Sequence, residues 1–580
     1  MLELIDEKAF SVSGARQKGI GTTAWVNDPT FNNAITSSDL FAAQASAFAA
    51  AIVSVQSTAS AVVSDSGSKG SAPAAFSSAS GSQSSSPSTP ADPTSALVSA
   101  LPTLAAAAVV VKSTVAAVTT ATVTKTTTAS VLPTWLSKVV TSSIAKDITS
   151  AVSTGTVTES GLAAMMTNLV STLTTTKSTL TSQQFADLKT IATNLSTTAT
   201  TSSYLSYVFG ALVNGNSANA TWTGGAAASV KLGNLAVGAT ATQLSELTGK
   251  WLLGTDTPSS AVRVGNSTMT ISYSITSKPL FASSGPVMTD INQGALGDCY
   301  FLSSCAEIAS HNSALIKSMF TDNGNGTYGV RFYSNGQPQY VTVNAQLANG
   351  GNAFDYSSSS AWSQLAEKAW AQFQAGGLAT GNTSVNYGNS YSTIGNGGYV
   401  ANALSALTGA SAITEYYGNG SSWAAYSRNA SLSYTGGTTG LSTSSIQSSL
   451  ISALNAGYDV VLSSYTNAKD SQNKTTLVAG HAMSIYGFNS ATNMFKVYNP
   501  WGTVSANQSW RATFEVGLST LLAAKDVITV DNVNMALSSV ASVATKLTSS
   551  IASLTSSDAA TADLASVAST TPKIELASAA

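Results

Sequence analysis

Gln293-Gly-Ala-Leu-Gly-Asp-Cys-Tyr-Phe-Leu302 sets one of only two cysteines in this 580-residue chain directly after a glycine-rich turn. Gly294 and Gly297 permit tight backbone, and Asp298 has the side chain of an N-cap. Tyr300-Phe-Leu-Ser-Ser-Cys-Ala-Glu-Ile-Ala309 then continues with helical spacing. The pattern predicts Cys299 in the first turn of a helix, where the positive end of the helix dipole favours a thiolate and lowers the thiol pKa. Such a sulfur is a nucleophile near neutral pH when a base lies within hydrogen-bond reach. Gln293, on the loop leading in, is placed to donate an amide N–H to an oxyanion forming beside the sulfur. Taken alone, Cys299 fits a small buried cysteine on an amphipathic helix equally well.

The chain has two histidines. His311 falls on the same helix as Cys299, roughly 18 Å from it at about 1.5 Å of rise per residue, too far to be its base. His481 lies in Val478-Ala-Gly-His-Ala-Met-Ser-Ile-Tyr-Gly-Phe488, a strand that turns through Asn489–Asn493 into Met494-Phe-Lys-Val-Tyr-Asn-Pro-Trp-Gly502. A hairpin centred on Ser490 sets His481 opposite Asn499, with Cβ atoms about 5 Å apart, so that the Asn oxygen orients the imidazole. Met483, Ile485, Phe495 and Val497 then share one apolar face. Read singly, His481 is an ordinary strand histidine and Asn499 a turn residue ahead of Pro500. Read together with Cys299 and Gln293, they supply a nucleophile, a base, an orienter and an oxyanion donor.

These blocks resemble the active-site blocks of the calpain family of papain-like cysteine proteases, in that family's order. Trp362-Ser-Gln-Leu-Ala-Glu-Lys-Ala-Trp370 resembles the helix between them. The resemblance spans roughly residues 240–536. It implies an α+β, papain-like two-lobed catalytic core and a cysteine endopeptidase acting on proteins or peptides. In that reading Cys299 is the nucleophile, His481 the general acid/base, Asn499 its orienter, Gln293 the oxyanion donor and Trp501 a shield over the His–Asn bond. Tyr300 departs from the family's usual tryptophan, which puts the shape of the adjoining pocket in question.

The resemblance also implies calcium. Asp290 and Glu367 look like the carboxylates of the family's first core site, with Gly285 able to offer a carbonyl, and a hard cation takes six to eight oxygen ligands. A second site is not expected, because Thr503-Val-Ser-Ala-Asn-Gln-Ser509 contains no carboxylate. Asp290 otherwise reads as a loop or capping residue and Glu367 as a solvated helix position. A different class of function, a bacterial surface or adhesive protein that keeps a protease fold as a scaffold, has no need of all four active-site groups. Acyl transfer by the same groups would more usually place Asp where Asn499 stands.

Charged residues are only 9% of the chain, 25 basic against 27 acidic, so the surface is mostly neutral and polar. A net charge of -2 gives no electrostatic reason to expect nucleic acid or an anionic membrane as partner. Cys299 and Cys305 point to different sides of one helix and should not pair. The acidic start, Met1–Lys8, lacks the basic and apolar parts of a secretory signal. Five segments are expected: an N-terminal helical segment (1–64), a flexible Ser/Pro-rich linker (65–93), an all-α, Ala/Ser/Thr-rich region (94–234), the calpain-like core (235–536) and a Ser/Ala-rich helical tail (537–580). Within the third, helices are expected at 135–152, 161–179 and 182–196. The uncharged stretch Thr94–Val111 reads as a helix of a soluble domain, since Pro102, serines and threonines interrupt it. Low charge, the missing signal and the tail ending in Ala580 resemble bacterial proteins exported on an uncleaved C-terminal signal. An extracellular location is therefore expected, with the cytoplasm as the alternative.

Overall fold

The computed structural model describes residues 132–533, except 153–156, 196–200, 358 and 380–387. The segments expected at 1–64 and 65–93, the stretch Thr94–Val111 and the tail from 537 lie outside the described residues. Residues 132–533 belong to one compact unit of mixed helix and sheet.

The chain first builds helices α1 (Ser142–Val152), α2 (Glu159–Thr176), α3 (Ser182–Leu195) and α4 (Ser203–Asn214). In α2, Leu162, Met165, Met166, Leu169 and Leu173 recur at helical spacing and are all buried, and Thr158 caps the start by accepting the Gly161 N–H at 3.1 Å. The expected helix at 135–152 is split. Thr134–Lys138 is a 3₁₀ turn, and Asp187 of α3 accepts the N–H groups of Val140 (3.1 Å) and Thr141 (2.8 Å), capping α1 from another helix. The spacing analysis missed α4, whose Tyr204, Val208 and Phe209 are aromatic and β-branched residues that read equally as strand.

The helices that precede residue 235 pack on elements that follow it. Helix α4 lies on a three-stranded antiparallel sheet of β1 (Phe320–Asp322), β2 (Thr327–Ser334) and β3 (Gln337–Asn344). The Tyr204 hydroxyl bonds Thr342 Oγ1 at 2.9 Å, the Ser203 hydroxyl bonds that of Tyr340 at 2.9 Å, and Tyr207 donates to Gln339 at 2.5 Å. Gly329 makes this approach possible, since a Cβ there would lie 2.5 Å from the Tyr204 ring. The β2–β3 hairpin turns on Asn335–Gly336, both at positive φ.

Two further helices pack beside this sheet: α5 (Cys299–His311), buried at every residue from Cys299 to Ala309, and α6 (Trp362–Ala375), buried at nearly every position. Phe301 of α5 and Trp370 of α6 stack at 4.8 Å, and α7 (Val400–Thr408) packs against α5 and β2.

The second half of the unit is an eight-stranded antiparallel sheet. In chain order its strands are β4 (Ala412–Gly418), β5 (Trp423–Asn429), β6 (Tyr434–Leu441), β7 (Val460–Ser464), β8 (His481–Asn489), β9 (Met494–Tyr498), β10 (Thr513–Val516) and β11 (Val527–Asp531). They lie side by side as β6-β5-β4-β11-β7-β8-β9-β10. Val460 and Leu462 join Met483, Ile485, Phe495 and Val497 in a core with α8 (Thr443–Asn455) and α9 (Leu518–Ala524). Val461 and Ala482 turn the other way, into the core that holds α5.

The β8–β9 register differs from a hairpin centred on Ser490. Asn489 pairs with Met494 and Phe488 with Phe495, then a bulge at Tyr486 shifts the ladder so that Ser484 faces Tyr498. His481 and Asn499 are therefore not cross-strand partners. They meet because Asn499 leaves the end of β9, its N–H bonded to Ala512 O at 2.8 Å, and its side chain reaches back to the start of β8.

Candidate active site

Cys299 opens α5, and His481 opens β8. Both line one small cavity together with Gly297, Gly397, Gly398 and Ser463. Its volume is about 20 Å³, room for one water molecule, and Cys299 and His481 are only 6% and 4% exposed.

The imidazole is held from behind. His481 Nε2 lies 2.9 Å from Asn499 Oδ1, and the same oxygen accepts the Trp501 N–H at 3.0 Å. An oxygen that already accepts requires His481 to be the donor, so Nε2 carries the proton and Nδ1 keeps a lone pair. The Trp501 ring covers this bond, 4.7 Å from the imidazole centre, and Trp510 meets Trp501 edge-on at 5.8 Å. Trp510 is a residue the motif reading passed over, because it lies beyond the Asn-Pro-Trp-Gly block.

The expected lowering of the thiol pKa is reversed. Burial pushes the Cys299 thiol up to about 12. The N–H of Ala482 points at the sulfur and opposes this, Asp298 adds to it, and the N–H groups of Tyr300 and Cys299 itself oppose it. A helix start shifts a pKa only modestly, whereas full desolvation acts on the whole charge. Burial likewise brings His481 down to about 4, against the Asn499 bond. The resting pair is a neutral thiol and a neutral imidazole.

Asp298 does not cap α5 with its side chain. Its carboxyl is drawn beneath the turn, where Oδ1 accepts Gln293 Nε2 at 3.2 Å and the far side meets Glu367. Glu367 is no solvated helix position. It is 1% exposed, and both its oxygens lie 3.3 Å from the Asp355 N–H. Burial and then the Asp298 and Asp355 charges push it well above an ordinary carboxyl, and burial also raises Asp298 to about 7 and Asp355 to about 6. Burial at this pair thus favours the protonated form of both carboxyls over the charged one.

Gln293 is fully committed as it stands. Its Nε2 donates to Leu296 O (2.7 Å) as well as to Asp298, its backbone N–H donates to Pro500 O (2.7 Å), and its Oε1 finds no partner among the described residues. Tyr300 fills the position noted as a departure. Its hydroxyl bonds Trp370 Nε1 at 3.1 Å, and its ring lies against Gly398, where a Cβ would come within 2.5 Å.

The residues expected to hold calcium are each engaged with other groups of the chain. Asp290 Oδ2 accepts the Trp362 indole N–H (2.6 Å) and the Val287 N–H (3.1 Å), and its Oδ1 accepts the Ser359 hydroxyl (3.3 Å). Glu367 faces Asp298 and Asp355 instead. Gly285 packs against the Lys317 ammonium. Among the described residues, no group of three or more His, Cys, Asp or Glu is placed to hold a metal ion. Nor is any described helix long and apolar enough to cross a membrane.

A family model described as calpain family cysteine protease matches residues 270–516. The chain is 26% identical over 262 residues to a calpain of Caenorhabditis elegans, covering 42% of this chain and 31% of that one. It is 28% identical over 249 residues to the calpain-2 catalytic subunit of Gallus gallus, covering 40% and 30%. With the calpain-2 catalytic subunit of Bos taurus the identity is 34% over 107 residues, covering 17% and 15%. The chain thus spans under a third of the length of the curated relatives it matches.

Proposed function

Since residues 270–516 belong to the calpain family of cysteine proteases, we propose that this chain is a cysteine endopeptidase of papain-like two-lobed layout, with Cys299, His481 and Asn499 as its triad. The observation that carries the reading is the buried His481 Nε2–Asn499 Oδ1 bond, covered by Trp501 and set beside the sulfur at the start of α5.

The raised thiol and lowered imidazole pKa values support the following order of events. A peptide carbonyl enters the opened cleft, Cys299 gives its proton to His481 Nδ1 as the sulfur attacks, and the imidazolium is stabilised by the Asn499 oxygen behind it. His481 returns the proton to the leaving amine, and water activated by the same imidazole then releases the acyl group. The oxyanion is met by the Cys299 N–H and by Gln293, whose longer bond, 3.2 Å to Asp298, exchanges for the substrate oxygen. The substrates are proteins or peptides, and no step passes through a metal ion.

The test is to treat the purified chain with an epoxide inhibitor that traps cysteine nucleophiles and to locate the adduct by mass spectrometry. The adduct should fall on Cys299, and Cys299→Ala and His481→Ala should abolish peptide hydrolysis with the thermal transition retained. Hydrolysis persisting in Cys299→Ala would sink the reading.

A further inference from the structure

We infer that the catalytic core of this chain is assembled without calcium, with direct hydrogen bonds joining its halves and the Trp362 indole N–H standing on Asp290 where a cation would. The inference rests on the peptidase reading only where activity is the readout.

Calcium needs several oxygens free to turn towards it. Asp290 is 5% exposed, and its carboxylate already holds an indole N–H, a backbone N–H and a hydroxyl. The shortest of these, 2.6 Å from Trp362, is a charge-assisted bond in a water-poor site, the kind that is strongest there. An ion could reach Asp290 Oδ2 only by displacing it. Glu367 is 1% exposed, and both its oxygens already lie 3.3 Å from the Asp355 N–H.

Gly285 adopts φ +81°, and the end of the exposed Lys317 side chain lies within 2.9 Å of where a Cβ would be, which brings positive charge close to this glycine.

The alignment that an ion would provide is supplied by the chain itself. The Gln293 N–H donates to Pro500 O (2.7 Å), and the Tyr498 hydroxyl donates to Ile291 O (2.7 Å). The Ser484 hydroxyl of β8 donates to Ser303 O of α5 (2.8 Å). Gly502, at φ +61°, lies so close to Asn292 that a Cβ would fall 2.1 Å from its Oδ1. The loop carrying the nucleophile is thereby fastened directly to the strand ends carrying His481 and Asn499.

The experiment uses the full chain with calcium ion as the probe. Thermal unfolding and epoxide labelling of Cys299 are each measured in excess chelator and in about 5 mM calcium, and calcium binding is followed by calorimetry. Expected are midpoints that agree to within about 1 °C, labelling rates that agree to within about twofold, and no saturable heat. Trp362→Phe keeps an aromatic ring and deletes the N–H. It should unfold at lower temperature than the parent chain, in chelator and in calcium alike. A calcium-induced rise of about 5 °C or more that disappears in Asp290→Asn would overturn the inference. So would calcium restoring Trp362→Phe to the parent midpoint. If Trp362→Phe does not fold, the parent chain's calorimetry and midpoints decide alone. Absence of Cys299 labelling in both conditions would refute the peptidase reading, and the binding and unfolding measurements would still decide about calcium.

Discussion

His481 and Asn499 bond at 2.9 Å across the end of a hairpin in which they are not paired. The contact depends on a bulge at Tyr486 and on Asn499 stepping out of β9. The His481 imidazole is therefore oriented by a chain reversal that the Trp501 N–H also holds, and not by the sheet ladder.

Asn499→Ala removes the acceptor for both His481 Nε2 and the Trp501 N–H. Peptide hydrolysis should lose about a hundredfold in kcat with KM little changed, since the missing contact orients the base without touching substrate. Trp501→Ala, which wets the His–Asn bond without removing it, should lose about tenfold. Steady-state kinetics on one fluorogenic peptide checks both. An Asn499→Ala enzyme with parental kcat would exclude the orienting role.

The acid limb of activity should lie unusually low. Burial holds His481 neutral down to about pH 4, so the base is available throughout the range where an ordinary imidazole would be protonated. The expected outcome is kcat/KM nearly flat from neutral pH down to pH 5 and falling near pH 4. A midpoint near the ordinary imidazole value of about 6.5 would show that the free enzyme spends its time with the cleft open and hydrated.

Stability should fall as pH rises through neutrality. Asp355 is held up at about 6 and Asp298 and Asp531 at about 7, all chiefly by burial, and Glu367, Glu307 and Asp459 are raised further. Carboxyls with raised folded pKa values bind protons more tightly folded than unfolded. Their stabilisation is complete below the unfolded value near pH 4 and is lost as pH climbs through the folded ones. Exposed Asp470 and Glu515, whose pKa values are lowered, act in the opposite sense and only at acid pH. The thermal midpoint should therefore be higher at pH 5 than at pH 8. Glu367→Gln, which keeps a donor facing Asp298, should flatten the slope.

Tyr204→Ala should destabilise the whole unit by about 3–5 kcal/mol, because it empties a buried ring site and removes the hydroxyl that accepts from Asn323 Nδ2. Gly329→Val should act through the same contact by pushing α4 off the sheet. Urea unfolding followed by tryptophan fluorescence measures both. A loss confined to the helices, with the Cys299 region unfolding at its parental midpoint, would show that α1–α4 fold separately.

What could be read in advance was whatever rare residue types announce. Two cysteines and two histidines leave few pairings, so the positions of Cys299, His481 and Asn499 were readable as a set, as was the helix from Cys299 to His311. Tertiary effects were not readable. The thiol pKa turned on burial of α5 on all sides, which local sequence does not encode. Asp298 looked like a cap because Asp before a helix usually is one, but a neighbouring Gln and a buried Glu claimed its carboxyl. The register failed at a single bulge, and α4 was overlooked because its apolar residues are those that also suit strands.

The cavity at Cys299, with space for a single water, makes access a separate event from chemistry. An inhibitor larger than water should need the walls around Cys299 to move before it reaches the sulfur, so its apparent affinity should be its true affinity scaled by the fraction of time they stand apart. Inactivation should then approach a ceiling rate at high inhibitor concentration, and chemically unrelated inhibitors should share that ceiling, because it belongs to the protein's opening. Under the peptidase reading proposed above, a compound that props those walls apart should act as an activator.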